Sequence, residues 1–377
     1  MLVADSLLLL LVVGFLLTTA VAMVPVLAAL RYRVLFGGLT AAAYFGASFP
    51  GFVLVCAAAF LAAQALSRQP DRAWRWRLAL AAITVVSVLF VAGRAAGWQD
   101  VLLPLGPTAF VLYALDMWLL LRLVTLLWEV GSGRQRAPGA AQFAAWVAFP
   151  LTLAGPLVRY SEWPDRPEPD RHLYARAWWW RGIVEGAAKM TAGRALGLLP
   201  AVVPADLPHA PIVTGLLLVF LVGPVGFYLI FAGYFQLVQQ LSLVVGVRVP
   251  DSFNWALGRE NISAFWANWN MTAVRVFRDY LYFNRWGMRT HNPYLNVIVL
   301  FTLVGLWHDV HAYWILWGLL HGLLFCAYLV WKRISVSMDL PLRGTAAARL
   351  ASRVLTYVAV CAAWYLPSKI LERLGAL

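Results

Sequence analysis

Long apolar runs separated by short basic loops dominate the chain. Residues 2–30 form the first run, and residues 34–66 form a second that is too long for one helical span of roughly 20 residues. Phe49-Pro50-Gly51 interrupts this second run. The pattern therefore predicts a first membrane span that is retained in the mature protein, followed by a hairpin of two short helices.

The other apolar segments that could form simple spans are 78–98, 106–128, 182–203, 212–245, 296–307, 312–331 and 350–371. Two further stretches do not have the pattern of a simple span. Residues 143–158 are apolar but interrupted by Pro150 and Gly155-Pro156, which predicts a broken or re-entrant helix whose backbone must be satisfied by protein or a cavity. Residues 253–292 are moderately polar and rich in Trp, Phe and Tyr, which favours an amphipathic helix at the membrane interface.

Composition also indicates a membrane protein. Of the 377 residues, 62% are hydrophobic and 12% are charged, against roughly 45–50% and 25% in soluble domains. Apolar runs of this length exclude a β-barrel, whose strands cross the bilayer with roughly 9–11 alternating residues. We therefore predict an all-α, polytopic helical membrane protein with broken or re-entrant and interfacial helices, folded as one membrane-embedded domain over residues 1–377.

The net charge of +13 comes mainly from arginines in short loops. Such loops mark the cytoplasmic side of a membrane protein. We therefore expect Arg31, residues 67–77 and Arg134 to face the cytoplasm, and the region near Trp98 to face outward. We therefore assign the positive charge to membrane topology and not to nucleic-acid binding. Attraction of lipid headgroups or of the phosphates of coenzyme A is an additional use of the same charge.

Three histidines interrupt the apolar segment 303–322. Histidine accepts and releases protons near neutral pH, so His308 is a candidate general base; a histidine bonded to a helix carbonyl is the alternative. His308 and His311 lie one helical turn apart, next to Asp309, but a dedicated zinc site needs at least three converging protein ligands. We therefore predict no metal, and we expect His321 to serve in packing.

A charged pair interrupts the interfacial stretch. Arg278 and Asp279 cannot sit in lipid, so they either lie at the interface or line a cavity, where an ionisable group is a functional candidate. If they formed a proton or ion pathway with His308, the chain would be a transporter. The lack of an internal repeat argues against the paired halves from which many transporters are built.

Four short motifs carry a resemblance to a known family. They are FWANWN (265–270), VFRDYLYF (276–283), GLWHD (305–309) and WGLLHG (317–322). They resemble motifs of the membrane-bound O-acyltransferase (MBOAT) family, in particular its bacterial branch of alginate O-acetyltransferases and teichoic-acid D-alanylation membrane proteins. Segments 102–117, 149–163 and 231–254 are similar to further elements of that branch. The resemblance implies a multi-pass protein of the bacterial cytoplasmic (inner) membrane.

The resemblance also implies roles for individual residues. His308 matches the family's histidine, and Asn270 matches the polar residue before it, which either orients the imidazole or donates to the oxyanion. Arg159 matches an arginine associated with activity in the alginate branch. Together with Arg278 and Asp279, which are candidates because they are charged, Arg159 and Trp307 are predicted to bind substrate or cofactor or to line the site.

The implied reaction is acyl transfer from a thioester to a hydroxyl group. By resemblance, the donor is cytoplasmic acyl-CoA, expected to be acetyl-CoA, and the acceptor belongs to cell-envelope polysaccharide assembly. The acyl group then passes directly to a hydroxyl acceptor or first to an extracytoplasmic partner protein with a serine nucleophile. Acylation of a lipid or a protein is the alternative within enzymes. We expect membrane lipid around the chain and no nucleic-acid partner.

Three features depart from the branch. Asp309 stands where the family has glycine, and Gln236 stands where it has aspartate. The chain ends at Leu377, where alginate-type members continue with further helices. We expect the two substitutions to alter local geometry and acceptor choice, and the short end to alter the surface on which a partner docks.

Overall fold

The computed structural model describes residues 30–95, 116–164, 172–204, 209–282, 292–338 and 345–375. Their regular structure consists of α-helices, 3-10 helices and π-helical segments, and no strand occurs among them. The all-α prediction is therefore confirmed for this part of the chain. The first predicted span, apart from its last residue, and the region near Trp98 lie outside the described residues.

The chain divides into two compact units. Unit 1 comprises Met1–Gly182 and Leu237–Pro250, and unit 2 comprises Ile183–Gln236 and Asp251–Leu377. Each unit is therefore built from two separate stretches of sequence. The expectation of one membrane-embedded domain stays a prediction.

Unit 1 begins with two helices separated by a break, in the region of the predicted hairpin. Its helices are α1 (Leu30–Phe45), α2 (Phe49–Arg68), α3 (Arg72–Ala95), α4 (Met117–Ser132) and α5 (Ala140–Val147). The break follows Phe45, where Gly46 adopts a φ of 53° that glycine tolerates without strain. Pro50 lies in the first turn of α2, where its missing N–H needs no helical partner. Pro50 thus helps to begin a helix of 20 residues, which is longer than the short helix predicted.

Helix α4 is almost entirely buried within unit 1. Asp116 caps its start, because the Asp116 carboxylate accepts a hydrogen bond from the backbone N–H of Leu119 at 2.6 Å. Gly133 ends the helix in the left-handed conformation that favours glycine, with a φ of 78°. Local caps therefore fix both ends of α4.

The helix predicted to be broken is found at α5. Buried Arg122 of α4 donates from Nη1 to the carbonyl oxygen of Val147 at 3.0 Å, and from Nη2 to that of Thr152. The indole of Trp146 donates to the carbonyl oxygen of Val158 at 2.9 Å. Protein groups therefore pair the carbonyls that the interrupted helix leaves open, and the prediction of a broken helix satisfied by protein is confirmed.

The remaining helices belong to unit 2, except that α6 and α8 each contain a boundary between the two units. They are α6 (Ala177–Leu196), α7 (Ala210–Leu217), α8 (Phe227–Val244), α9 (Ile262–Trp266), α10 (Met271–Val276), α11 (Pro293–His308), α12 (Ala312–Ser337) and α13 (Ala346–Arg373). π-Helical segments occur at Leu218–Gly226 and Phe277–Tyr282. Within unit 2, a Cβ on Gly233 of α8 would lie 2.5 Å from the carbonyl oxygen of Gly186 in α6. Glycine therefore permits close approach of these two helices.

Five helical stretches of the described chain are long and apolar enough to cross a membrane: Phe49–Arg68, Arg72–Arg94, Pro211–Val244, Ala312–Ser337 and Ala346–Arg373. Helix α6, in the predicted apolar segment 182–203, is not one of them, since Glu185, Lys189 and Arg194 make it too polar.

The predicted interfacial stretch forms the short helices α9 and α10 instead of one amphipathic helix. Asn261 caps α9, because its Oδ1 accepts from the backbone N–H of Ala264 at 2.8 Å.

Candidate active site

A tight crossing of α11 and α12 positions His308. A Cβ on Gly305 would lie 2.1 Å from the carbonyl oxygen of Trp314, and a Cβ on Gly318 would lie 2.4 Å from that of Phe301. Backbones this close leave no room for a larger side chain at either glycine. The crossing places His308, the last residue of α11, against the first turns of α12.

Aromatic rings surround the imidazole of His308. Its centroid lies 4.6 Å from the stacked ring of Trp314, 5.5 Å from Trp317 in an edge-to-face contact, and 4.7 Å from Trp307. No residue in the described part of the chain forms a hydrogen bond with this imidazole. Ring packing therefore sets its orientation, and its nitrogens are free of described partners that would compete with a substrate hydroxyl.

Asn270 lies in the short loop between α9 and α10. Its backbone is left-handed, with a φ of 42° and a ψ of 50°. This conformation is uncommon outside glycine, although asparagine tolerates it better than most residues. The buried Oδ1 of Asn270 has no hydrogen-bond partner among the described residues. Since nearly all buried polar atoms in proteins are paired, an unpaired one calls for an explanation such as a substrate contact.

Aromatic contacts connect the segments that carry Asn270 and His308. Trp266, at the end of α9, packs edge to face on Trp317 at a centroid distance of 5.7 Å, and Trp317 contacts His308. No hydrogen bond joins the side chains of Asn270 and His308. Ring contacts of Trp266 and Trp317 thus connect the segment that carries Asn270 with His308, without the direct bond by which Asn270 would orient the imidazole.

Trp307 packs on the π-helical segment Phe277–Tyr282, which carries the predicted charged pair. Trp307 is 4% exposed, and its ring lies 5.4 Å from that of Phe277, the first residue of this turn. The next residue, Arg278, donates from Nε to Oδ1 of Asp279 at 2.9 Å, and the two side chains are 51% and 32% exposed. Phe277 therefore packs toward the site, whereas the two charges are bound to each other near the surface.

Arg159 belongs to unit 1. It is half-buried at the start of a 3-10 turn, and its backbone N–H donates to Oε2 of Glu162 at 3.1 Å. Ser161 in the same turn donates from Oγ to Oε1 of the buried Glu129 at 2.9 Å. Arg159 therefore lies at the polar end of the broken segment, and its part in catalysis stays a prediction.

The other two histidines of the segment 303–322 have structural roles, one as a helix cap and one in packing. His311 caps α12, since its Nδ1 accepts from the backbone N–H of Tyr313 at 3.1 Å. His321 is fully buried with its ring 4.5 Å from Trp317, which confirms the packing expectation. Within the described ranges, no group of three or more His, Cys, Asp or Glu side chains is placed to hold a metal ion.

The two family departures have clear structural settings. Asp309 has an extended backbone with a φ of −168°, which any residue adopts, so this position does not need glycine. Gln236 accepts from Nζ of Lys189 at 2.6 Å and donates to Oε2 of Glu185 at 3.2 Å. An amide can make both bonds, whereas an aspartate carboxylate has no hydrogen to donate to Glu185.

Sequence reasoning missed the residues that hold the site together. Trp314 and Trp317 are spaced by three positions on α12, which places them on one helix face, and this spacing was a usable signal. Arg259 hydrogen bonds to the loop of Asn270, and no sequence pattern indicated it.

The fold and site define a class: an all-α membrane protein in which an imidazole lies among aromatic rings at the end of an apolar helix. The model of MBOAT, the membrane-bound O-acyltransferase family, matches residues 204–358. This range includes both Asn270 and His308. The family model thus matches the part of the chain that carries both candidate residues, and the resemblance seen in the short motifs is confirmed.

Similar proteins include bacterial proteins named as O-acetylating or D-alanylating enzymes. The chain is 31% identical over 189 residues to a probable alginate O-acetylase of Azotobacter vinelandii, a match that covers 48% of this chain and 37% of that protein. It is 35% identical over 98 residues to a peptidoglycan O-acetyltransferase of Helicobacter pylori, covering 26% and 19%. It is 30% identical over 107 residues to a teichoic acid D-alanyltransferase of Bacillus subtilis, covering 26% and 27%. The chain thus spans about a third of the length of the alginate relative.

Proposed function

We propose that this protein is a membrane-bound O-acyltransferase that moves an acetyl group from acetyl-CoA to a hydroxyl group in a cell-envelope polysaccharide. The observation that carries the proposal is the imidazole of His308, which has no hydrogen-bond partner among the described residues and lies within the MBOAT-matched range 204–358. Two similar proteins are named for acetylation of alginate and peptidoglycan, which supports a polysaccharide hydroxyl as the acceptor.

In the proposed mechanism, His308 acts as the general base. It takes the proton from the acceptor hydroxyl as the oxygen attacks the thioester carbonyl carbon. The tetrahedral intermediate collapses when the carbon–sulfur bond breaks, and the coenzyme A thiolate takes the proton from the imidazolium. The base is thereby regenerated within one cycle. A positioned base contributes roughly 10²–10⁴-fold to rate.

Asn270 stabilises the oxyanion in this proposal. Its carboxamide NH₂ donates a hydrogen bond to the negative oxygen of the intermediate, which is the group that most needs a fixed donor. The left-handed backbone of Asn270, held by the loops around it, supports a side chain kept in one position for a substrate. The buried Trp307 helps to exclude water from the reacting groups.

The acyl group has to move from a cytoplasmic donor to an acceptor outside. Arg159 keeps in this proposal the role that the family resemblance implies, because it matches an arginine associated with activity. A bulky polymer is served by an extracytoplasmic partner protein, whose serine hydroxyl takes the acetyl group first. The proposed location is the bacterial cytoplasmic membrane.

Inside-out membrane vesicles of the source bacterium test the proposal. The chromosomal gene is deleted and replaced by the wild-type or His308→Ala gene, and acetyl-labelled acetyl-CoA is added at the exposed cytoplasmic face. We expect label in the glycan fraction with the wild type and none above the deletion background with His308→Ala. Label in the lipid fraction alone supports the lipid-acylating alternative and contradicts the proposal. Equal labelling of glycan by both genes removes His308 as the base.

A further inference from the structure

Two loops of unit 2 meet around Asn270. They are the segment 251–259, here termed the support loop, and residues 267–270 between α9 and α10, here termed the Asn270 loop. Two backbone hydrogen bonds join them: the N–H of Asn254 donates to the carbonyl oxygen of Asn268 at 3.0 Å, and the N–H of Met271 donates to that of Ser252 at 2.7 Å. These bonds lie on either side of Asn270 in the sequence.

The side chain of Arg259 also joins the two loops by hydrogen bonds. Its Nη2 donates to the carbonyl oxygen of Asn254 at 2.5 Å and to Oδ1 of Asn268 at 2.9 Å. Asn268 in turn donates from Nδ2 to the carbonyl oxygen of Ala264 in α9 at 2.7 Å. One guanidinium nitrogen therefore connects the support loop, the Asn270 loop and, through Asn268, helix α9.

This fastening acts on a residue with a strained backbone. A non-glycine residue in the left-handed region persists only when the surrounding structure holds it there. Asn270 has a φ of 42°, and two positions earlier the side chain of Asn268 is fixed by Arg259. Trp269, between them, is buried against Phe265, with ring centroids 5.3 Å apart. The conformation of Asn270 thus depends on the bonds made around it.

We propose that Arg259 is a positioning residue for Asn270. It holds the left-handed backbone of Asn270 and thereby the direction in which the Asn270 carboxamide points. The inference rests on the proposed function, in which Asn270 donates to the oxyanion. Arg259 itself touches none of the reacting atoms. A donor displaced by about 1 Å can cost as much as roughly 100-fold in rate, so the loss of Arg259 acts on turnover.

A neighbouring arginine offers a matched control. Arg353 of α13 binds Glu260, the residue after Arg259, at 3.1 Å, and both side chains are partly exposed at 51% and 38%. This pair touches the end of the support loop and makes no hydrogen bond to the Asn270 loop. Arg353→Gln therefore removes an arginine hydrogen bond close to the same place while leaving the proposed fastening in place.

Kinetics in the inside-out vesicles test the inference. We expect Arg259→Gln to lower kcat about tenfold, with KM for acetyl-CoA within about twofold of wild type. Arg353→Gln should keep the wild-type kcat. Asn268→Ala keeps Arg259 but removes one of its hydrogen-bond acceptors, so it should lower kcat in the same way. This second variant tests the inference even if Arg259→Gln does not fold. In an Asn270→Ala background with its residual transfer, Arg259→Gln should cause no further loss, because it acts through Asn270.

Different outcomes separate the inference from the function on which it rests. Wild-type kcat in folded Arg259→Gln or Asn268→Ala protein, together with impaired Asn270→Ala, overturns the inference alone. An equal loss from Arg259→Gln in the wild-type and Asn270→Ala backgrounds also overturns it, since the effect would not pass through Asn270. Full activity of Asn270→Ala removes the proposed role of Asn270 instead.

Discussion

Arg122 in unit 1 and His308 in unit 2 are both polar side chains among apolar residues, but they are used differently. Arg122 is 2% exposed and donates hydrogen bonds to the carbonyl oxygens of Val147 and Thr152. His308 makes only ring contacts with described residues. Arg122 therefore serves the fold through hydrogen bonds to backbone carbonyls, whereas His308, whose nitrogens have no described partner and which lies in a family motif, is a candidate for chemistry.

The same contrast appears at the two irregular segments. In unit 1, the backbone after α5 is paired by side chains of Arg122 and Trp146, which completes a fixed scaffold. In unit 2, backbone bonds and Arg259 fix the Asn270 loop, yet Oδ1 of Asn270 stays without a described partner. A rigid loop that presents an unpaired group is what substrate positioning requires.

The largest effect is expected for His308→Ala. Acyl transfer should fall by about 10²–10⁴-fold, because the variant lacks the proposed base, while the protein still folds and stays monodisperse despite the lost ring contacts. Labelled transfer and the thermal unfolding of purified protein are the two measurements. His311→Ala is the matched control, since it removes a cap of α12 at a cost of about 1 kcal/mol without touching the proposed base. Turnover near wild type in monodisperse His308→Ala protein would rule out the proposed base.

Arg122→Met should have the opposite profile. Methionine keeps much of the side-chain volume but leaves the carbonyl oxygens of Val147 and Thr152 without this donor, at a cost of about 1–3 kcal/mol for each unpaired group. We expect a lower unfolding midpoint and a lower yield of monodisperse protein. Arg72→Gln, at an exposed position of α3, should leave both unchanged. A stability equal to wild type in Arg122→Met would contradict the structural role of Arg122.

Gln236→Asp should have a smaller effect. It introduces the residue of the family pattern next to Glu185, and two carboxylates then lie close together where an amide donated before. We expect a loss of about 1 kcal/mol in unfolding free energy. Adding Glu185→Gln should recover most of it, because the repulsion is removed. The double-mutant cycle gives the coupling, and zero coupling would mean that Glu185 does not explain the preference for glutamine here.

His321→Phe should have the smallest effect. Both ring nitrogens of His321 are buried without a partner in the described chain, so phenylalanine keeps the ring contacts and removes two unpaired atoms. The expected outcome is an unchanged or raised stability, by up to about 1 kcal/mol, with transfer near wild type. A marked loss of stability would show that His321 has a polar partner and belongs with the paired class of Arg122.

Several structural features were predictable because their signals are local in the sequence. The interruption of residues 143–158 by prolines and glycine predicted the broken helix at α5. Short motifs singled out Asn270 and His308, and ring contacts of Trp266 and Trp317 connect the two segments that carry them. The predicted break between two helices was found, although the helix that begins at Phe49 is longer than expected, because Pro50 favours a helix start as well as a break.

The sequence by itself determined the helical class, the membrane setting and the identity of the candidate residues, since hydrophobic run lengths and motif spacings need no knowledge of distant contacts. The tertiary structure alone decided which polar groups are paired. Arg122 meets carbonyls 25 and 30 positions away, and Trp266 meets Trp317. A hydrogen bond or ring contact depends on atoms within a few ångströms of each other, and only folding brings residues so far apart in the chain to that distance.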